Sequence, residues 1–339
     1  MKTVWFKLLL PVLCLFSFLA CDQKPKHTSS SVHPVFTQTA ELKKLTEKIT
    51  NAPDNARLYY ERGLLLQGLK EDSLALMDFN NAVKYDSTRA EYYSAIGDLL
   101  FEHKDLDGSV KWIRKAIELN PSDPKAHMKI AKMFVYMGEY PNAFKEINRV
   151  LKEDAMNPEA YFLKGMIYKN SADSSNKALS SFLTAVQIMP DYKDALMQIG
   201  LIYDKRNDST ALRYYENAFQ ADTNDVSSLY AKGMYYQTRN RMEEAKNEYA
   251  RCIRSDKDYS NAYFNTGYIL MQQDSLEKAR RQFDRVVKLD TANAGAYYNR
   301  GLCSESMGKK PEALSDYKQA LVLNKDYKEA KDALKRLGE

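Results

Sequence analysis

The residues of this chain able to do chemistry are its four histidines, its four cysteines and a dense scatter of acids and lysines. His27, His33, His103 and His127 lie far apart, and none has a second ligand at metal-binding spacing. Paired acids such as Glu243 and Glu244 fall on one exposed helix face, where a solvated surface is the expected role rather than acid/base work. No glycine-rich phosphate loop is present. A reaction needs a site, and these residues assemble none, so the chain reads as no enzyme, with no cofactor, metal or small-molecule substrate. Lys125, Lys129 and Lys132 cluster and are expected to form a basic rim, contact with an acidic partner segment being the alternative. Cys252 and Cys303 occupy small apolar positions and read as buried free thiols rather than halves of a disulfide.

The remaining cysteines sit at the N-terminus. Lys2 and Lys7 precede an apolar run, Leu8–Ala20, that includes Cys14. The run is shorter than the roughly 20 residues that cross a bilayer as a helix, and it suits a signal-peptide core. Its end reads Phe18-Leu19-Ala20-Cys21, followed by a polar stretch with Ser29-Ser30-Ser31. Ordinary cleavage asks for small residues at the last and third-last positions, which Ala20 meets and Phe18 does not. The stretch resembles the lipobox of bacterial lipoproteins, which implies lipid modification at Cys21 after removal of residues 1–20. Plain secretion and an uncleaved anchor are the alternatives. Residues 21–38 read as a flexible polar tether. Export to a bacterial envelope is therefore expected, lipid-anchored and facing the periplasm or cell surface, with no later segment crossing a membrane.

Composition sets further bounds. Apolar residues make up 44% and charged residues 28%, as in an ordered protein. Lys and Arg exceed Asp and Glu by 50 to 45, and the two signs alternate along the chain. No basic stripe suited to a phosphate backbone forms, so nucleic acid is not expected as a partner.

From Ala56 onward the chain repeats itself about every 34 residues. Gly63, Gly97, Gly165, Gly200, Gly233, Gly267 and Gly301 recur, with Ala131 once in their place. Four residues earlier stands a large residue, as at Tyr59, Tyr93, His127 and Tyr161. About twelve residues later comes Ala or Ser, and four further on Phe, Tyr or Ile, as in Ala75/Phe79 and Ala211/Tyr215. This pattern resembles the tetratricopeptide repeat family over residues 56–327, eight repeats in all. Apolar spacings of three and four within each half independently predict two amphipathic helices per repeat. One such pair cannot bury its apolar face alone, so stacking is required. The resemblance implies an all-α, right-handed superhelical solenoid of about eight helix pairs. Residues 39–55 are expected to form an N-terminal capping helix or half-repeat, and 328–339 a C-terminal capping helix.

In this family the first helix of each repeat lines a concave groove. Carried over by register, the groove residues are Tyr60, Leu64, Met128, Phe162, Met166, Met197, Leu201, Tyr230, Met234, Phe264, Tyr268, Met271, Tyr298 and Leu302. Repeats four to eight would then present a Met/aromatic trough, adaptable to varied apolar side chains. The expected function is a membrane-tethered, non-catalytic adaptor holding a peptide or amphipathic helix of an envelope protein, in the service of envelope complex assembly. The alternative is a structural subunit of a permanent envelope or secretion complex. It would contact partners through its convex face and the irregular turns at 170–176 and 206–210.

Overall fold

The computed structural model describes residues 33–170 and 174–339; the expected signal segment, Cys14 and Cys21 lie outside them. Eighteen α-helices and one 3-10 helix form, and no strand occurs among the described residues. The chain divides into two compact units, one ending at Tyr85 and the other running Asp86–Glu339. No helix among the described residues is long and apolar enough to cross a membrane.

In the first unit, a 3-10 helix (Pro34–Thr37) leads into α1 (Ala40–Asn51), α2 (Ala56–Gly68) and α3 (Asp72–Tyr85). Thr39 caps α1 by accepting from the Leu42 amide at 3.2 Å, and Leu42 and Ile49 face inward. The polar tether expected through residue 38 ends earlier. Val35 and Phe36 are buried, and the Arg62 guanidinium lies 4.0 Å above the Phe36 ring. Burying two adjacent apolar side chains, with a cation on the aromatic face, outweighs the polar character of their neighbours.

The second unit stacks seven helix pairs and a closing helix. The pairs are α4 (Ala90–Glu102) with α5 (Leu106–Leu119), α6 (Pro124–Tyr136) with α7 (Tyr140–Glu153), and α8 (Pro158–Lys169) with α9 (Ser175–Ile188). There follow α10 (Lys193–Lys205) with α11 (Thr210–Ala221), α12 (Ser227–Gln237) with α13 (Met242–Ser255), and α14 (Ser260–Gln272) with α15 (Leu276–Leu289). Last come α16 (Ala294–Ser306) with α17 (Lys310–Leu323), and α18 (Lys328–Arg336). Each second helix also packs on the first helix of the next pair, so the core is continuous rather than central.

The recurring residues account for this packing. A methyl group on Gly200 would meet the Tyr215 ring at 2.6 Å, so only glycine lets α10 and α11 approach this closely. The large residue four before the glycine ties its helix to the preceding loop. Tyr59, Tyr93, Tyr161 and Tyr263 each donate to the carbonyl six residues back, at 2.9 to 3.3 Å. His127 keeps the same bond, its Nε2 lying 2.9 Å from the Pro121 carbonyl, while Nδ1 meets Glu146 at 2.6 Å.

The turns inside the pairs other than α8–α9 follow one scheme. Lys70, Lys104, Gly138, Asn207, Asn240, Asp274 and Gly308 take positive φ, and the next amide donates back five residues, as from Glu139 to the Phe134 carbonyl at 2.8 Å. The irregular stretch at 206–210 makes the Gly200-to-Ala211 spacing one residue shorter than Gly63 to Ala75, yet leaves this closure intact, since Asp208 still reaches the Tyr203 carbonyl at 2.9 Å. The shortening falls on the start of α11, where Asp208 accepts from the Thr210 amide at 2.8 Å.

A charge register unforeseen in the sequence lies at the residue just before the signature glycine. Arg62 meets Asp78 at 2.7 and 2.8 Å. Lys232 meets Glu216 at 2.8 Å and Glu248 at 3.1 Å. Arg300 meets Asp284 at 2.8 Å and Asp316 at 2.7 Å. Glu216 is also gripped by Arg251 at 2.7 Å. These bonds from Arg251, with Lys232 beside it, hold the Glu216 carboxyl down from 4.5 to about 2. A depressed folded-state value means stability that is present above 4.5 and lost as the pH falls toward 2. Acid unfolding of Glu216→Gln, followed by circular dichroism, should therefore show a shallower loss of stability across that window than the parent protein. Identical slopes would show that Glu216 carries no such linkage.

Candidate functional site

Four consecutive first helices of the second unit build a cleft of about 610 Å³. Phe101 comes from α4, Val135 and Tyr136 from α6, Phe162 and Met166 from α8, and Tyr192 from the start of α10. The helical period sets this lining: Phe162 and Met166, four apart, share one face of α8. Phe162 leans on Phe182 and Tyr192, with ring centroids 5.6 and 5.2 Å away, which fixes its orientation before any ligand arrives. Tyr136, 73% exposed at the end of α6, is the most accessible of the exposed large apolar residues.

The cleft's polar groups are few. Lys132 and Glu159 form an ion pair across α6 and α8. Asp194 stands exposed on the first turn of α10. Burial, with Glu159 and Asp194 nearby, pushes the Tyr192 hydroxyl well above the ordinary phenol range, so it stays a neutral donor. A few polar groups around an apolar floor suit recognition of a side-chain-bearing segment.

The basic rim expected from the lysine cluster does not stand as free charge. Lys129 donates to Asp98 at 2.6 Å and to Ser94 at 2.8 Å, and Lys132 is held by Glu159. Only Lys125 of the three is exposed at the helix start without such a partner. Acids on the two neighbouring first helices, Asp98 on α4 and Glu159 on α8, neutralise the other two, a pairing hidden in a linear reading.

The predicted groove residues separate into three groups. Phe162 and Met166 line the cleft. Met128 does not: it is 5% exposed and belongs to the core between α5, α6 and α7, because its helix is apolar on both sides, with Ile130, Met133 and Phe134 also buried. Met197, Tyr230, Met234, Phe264, Met271, Tyr298 and Leu302 are half-buried, while Leu201 and Tyr268 are 38% and 39% exposed. The aromatic ones mainly brace their own repeat. Tyr230 packs on Tyr249 and Tyr259, Phe264 on Phe283, and Tyr298 on Tyr317 and Tyr327. In the first unit, Tyr60 tilts against Phe79, and Leu64 is 44% exposed. The trough expected over repeats four to eight is thus partly filled by its own rings, and the cleft described above spans repeats two to five.

Sequence reasoning missed a hydroxyl code. Where the second-helix aromatic is Tyr, the residue four after the glycine is an acceptor: Tyr215 donates to Asp204 at 3.2 Å, Tyr249 to Gln237 at 2.6 Å, and Tyr317 to Glu305 at 2.5 Å. Among the repeats with Phe there, those of Phe182 and Phe283 carry Lys169 and Met271 at that position, and that of Phe79 carries Gln67. The recurrence of an acceptor in all three Tyr repeats was the available signal. Asn265 extends the set by donating to the Tyr230 and Tyr249 hydroxyls at 3.0 and 3.2 Å. The two thiols, Cys252 and Cys303, are free and buried, and burial pushes them up to about 12 and about 11, so both stay protonated at neutral pH. Among the described residues no group of three His, Cys, Asp or Glu is placed to hold a metal.

Models of the tetratricopeptide repeat match residues 90–123, 230–294 and 294–327. These matches show tetratricopeptide repeats in the chain. It is similar to the human protein O-mannosyl-transferase TMTC3, 24% identical over 192 residues, 55% of this chain and 21% of that protein. A tetratricopeptide repeat-containing protein of Methanocaldococcus jannaschii is 21% identical over 221 residues, 62% of this chain and 39% of the relative. The human DnaJ homolog subfamily C member 7 is 24% identical over 276 residues, 71% of this chain and 56% of the relative. The chain therefore spans between about a fifth and just over half of these proteins. Among solved structures, the C-terminal part of a tetratricopeptide repeat protein from Cytophaga hutchinsonii superposes with a TM-score of 0.57. It is 17% identical and covers 70% of this chain and 98% of its own, a likeness of fold. The chain is thus an all-α solenoid of a class that serves protein–protein interaction and is typically non-catalytic.

Proposed function

We propose that this protein is a non-catalytic adaptor that holds a peptide or amphipathic helix of a cell-envelope protein in the cleft over α4, α6, α8 and α10. The observation that carries the reading is the apolar lining of that cleft by Phe101, Val135, Phe162, Met166 and Tyr192 on rigid helices. Half-exposed aromatic and Met side chains on a fixed scaffold gain apolar burial when a partner side chain enters, and little ordering cost opposes it. Lipid attachment at Cys21 would hold the adaptor at the membrane where its clients work and raise their effective concentration. Envelope complex assembly is the process this arrangement suits. Replacing Cys21 with Ala should move the protein from the membrane fraction to the soluble fraction; continued membrane association would contradict the lipid anchor. Crosslinking from the cleft in cells tests the adaptor itself.

A further inference from the structure

The charge register before the signature glycine is broken in one repeat. Four repeats carry a cation there: Arg62, Lys164, Lys232 and Arg300. For each, the second helix of its own repeat offers the residue just before the aromatic, and the preceding second helix offers the residue sixteen earlier in the chain. Lys232 finds Glu248 and Glu216, Arg300 finds Asp316 and Asp284, and Arg62 finds Asp78, with Thr46 accepting a further bond at 3.1 Å. At the positions corresponding to these partners, Lys164 has Ser181 and Asn148. The Ser181 hydroxyl is turned to the Lys177 carbonyl at 2.8 Å, and among the described residues Lys164 has no carboxylate partner. Its ammonium lies 5.9 Å from the Tyr161 ring.

In place of the missing acid there is a cleft of about 510 Å³ between α8 and α9. Tyr161, Lys164 and Tyr168 line it from α8, and Lys177 and Ser181 from α9. Lys177 sits 5.8 Å from the Tyr168 ring and likewise lacks a carboxylate among the described residues. Lys164 is two residues from both Phe162 and Met166, about 200° around α8 from each, so this cleft and the one on the groove side occupy different faces of the helix.

We infer that the α8–α9 cleft is a second protein-binding site, which takes an Asp or Glu side chain from an acidic segment of a partner to complete the ion pair that repeat four lacks. The ligand chemistry follows from repeats one, six and eight, where the same register is closed by a carboxylate. Two ammonium groups supply the charge-assisted bonds, and the two tyrosine rings can cover the apolar stem of the incoming side chain. The site is independent of the groove reading: it uses other residues on another face.

The test is a fluorescence-anisotropy titration of the full chain with labelled hexaglutamate, with hexaglutamine as the neutral peptide. The parent protein should bind hexaglutamate and not hexaglutamine. Lys164→Gln should weaken that binding about tenfold, as should Ser181→Asp, which supplies the missing carboxylate from within. Ser181→Asp should also raise the melting temperature by restoring the pair found in repeats one, six and eight, which separates occupied from misfolded. Lys111→Gln, on an exposed face of α5, should change nothing. Unchanged affinity in both Lys164→Gln and Ser181→Asp, or equal binding of hexaglutamine, would overturn the proposal. Displacement of hexaglutamate by inorganic phosphate at comparable concentration would overturn the assignment to a protein partner in favour of a small anion. Met166→Asp should leave hexaglutamate binding intact, so failure of the groove reading and failure of this one remain distinguishable.

Discussion

Asp78→Ala should cost about 3–5 kcal/mol of stability, because it strands a charge inside the first unit. Asp78 is fully buried and Arg62 is 5% exposed. Their contact is bidentate, with Nε and Nη2 of Arg62 at 2.7 and 2.8 Å from the two carboxylate oxygens. Burial pushes the Asp78 carboxyl above its ordinary range even though Arg62 pulls it down. The desolvation cost of the pair is therefore large and the net gain from pairing small. Two consequences of opposite size follow. Removing one partner leaves a guanidinium with neither water nor counter-ion. Replacing both, as Arg62→Met with Asp78→Leu, should come within about 1 kcal/mol of the parent or exceed it. Denaturant unfolding of both variants, combined with hydrogen exchange of the amides in α2 and α3, separates local from global loss. A silent Asp78→Ala would show that Arg62 reaches water.

The second large effect concerns binding. Phe162→Asp combined with Met166→Asp should weaken capture of the cleft's partner about a hundredfold or more, while the helices remain folded. Full burial of each apolar side chain is worth about 1.5–3 kcal/mol, and the new carboxylates would be desolvated by any apolar occupant. Phe162 also braces Phe182 and Tyr192, so Met166→Asp alone serves as the gentler variant. Pull-down from envelope extracts with parent and variant, normalised to helical content by circular dichroism, gives the comparison. Equal recovery of the same partner by all three would remove the cleft from the account.

The fold was legible because it rests on local rules repeated many times. The spacing of Gly200 to Tyr215, like that of the other glycines to their second-helix partners, reports a close helix crossing, and each helix pair depends mainly on neighbours in sequence. The candidate site was less legible, for physical reasons that differ by residue. Register alone put Met128 in the groove, but the bulk of Ile130, Met133 and Phe134 on the same helix turns it into core. Lys129 and Lys132 looked like a free basic cluster because their partners, Asp98 and Glu159, lie about one repeat away. The second-helix rings that fill part of the expected trough sit one helix away from the residues they support, as Tyr249 does beneath Tyr230. Val35 and Phe36 were passed over inside a polar stretch because two apolar residues give no periodicity to read.

The central claim is that the cleft over α4, α6, α8 and α10 holds another protein. It is tested most directly by photocrosslinking in living cells from position 166, with position 111 on the outer face of α5 as the control, followed by mass spectrometry of the adducts. One dominant protein adduct from 166, absent from 111 and lost when Phe162 is replaced by Asp, is the predicted result. Adducts from 111 alone would contradict the groove adaptor and favour a structural subunit that meets its neighbours through the convex face.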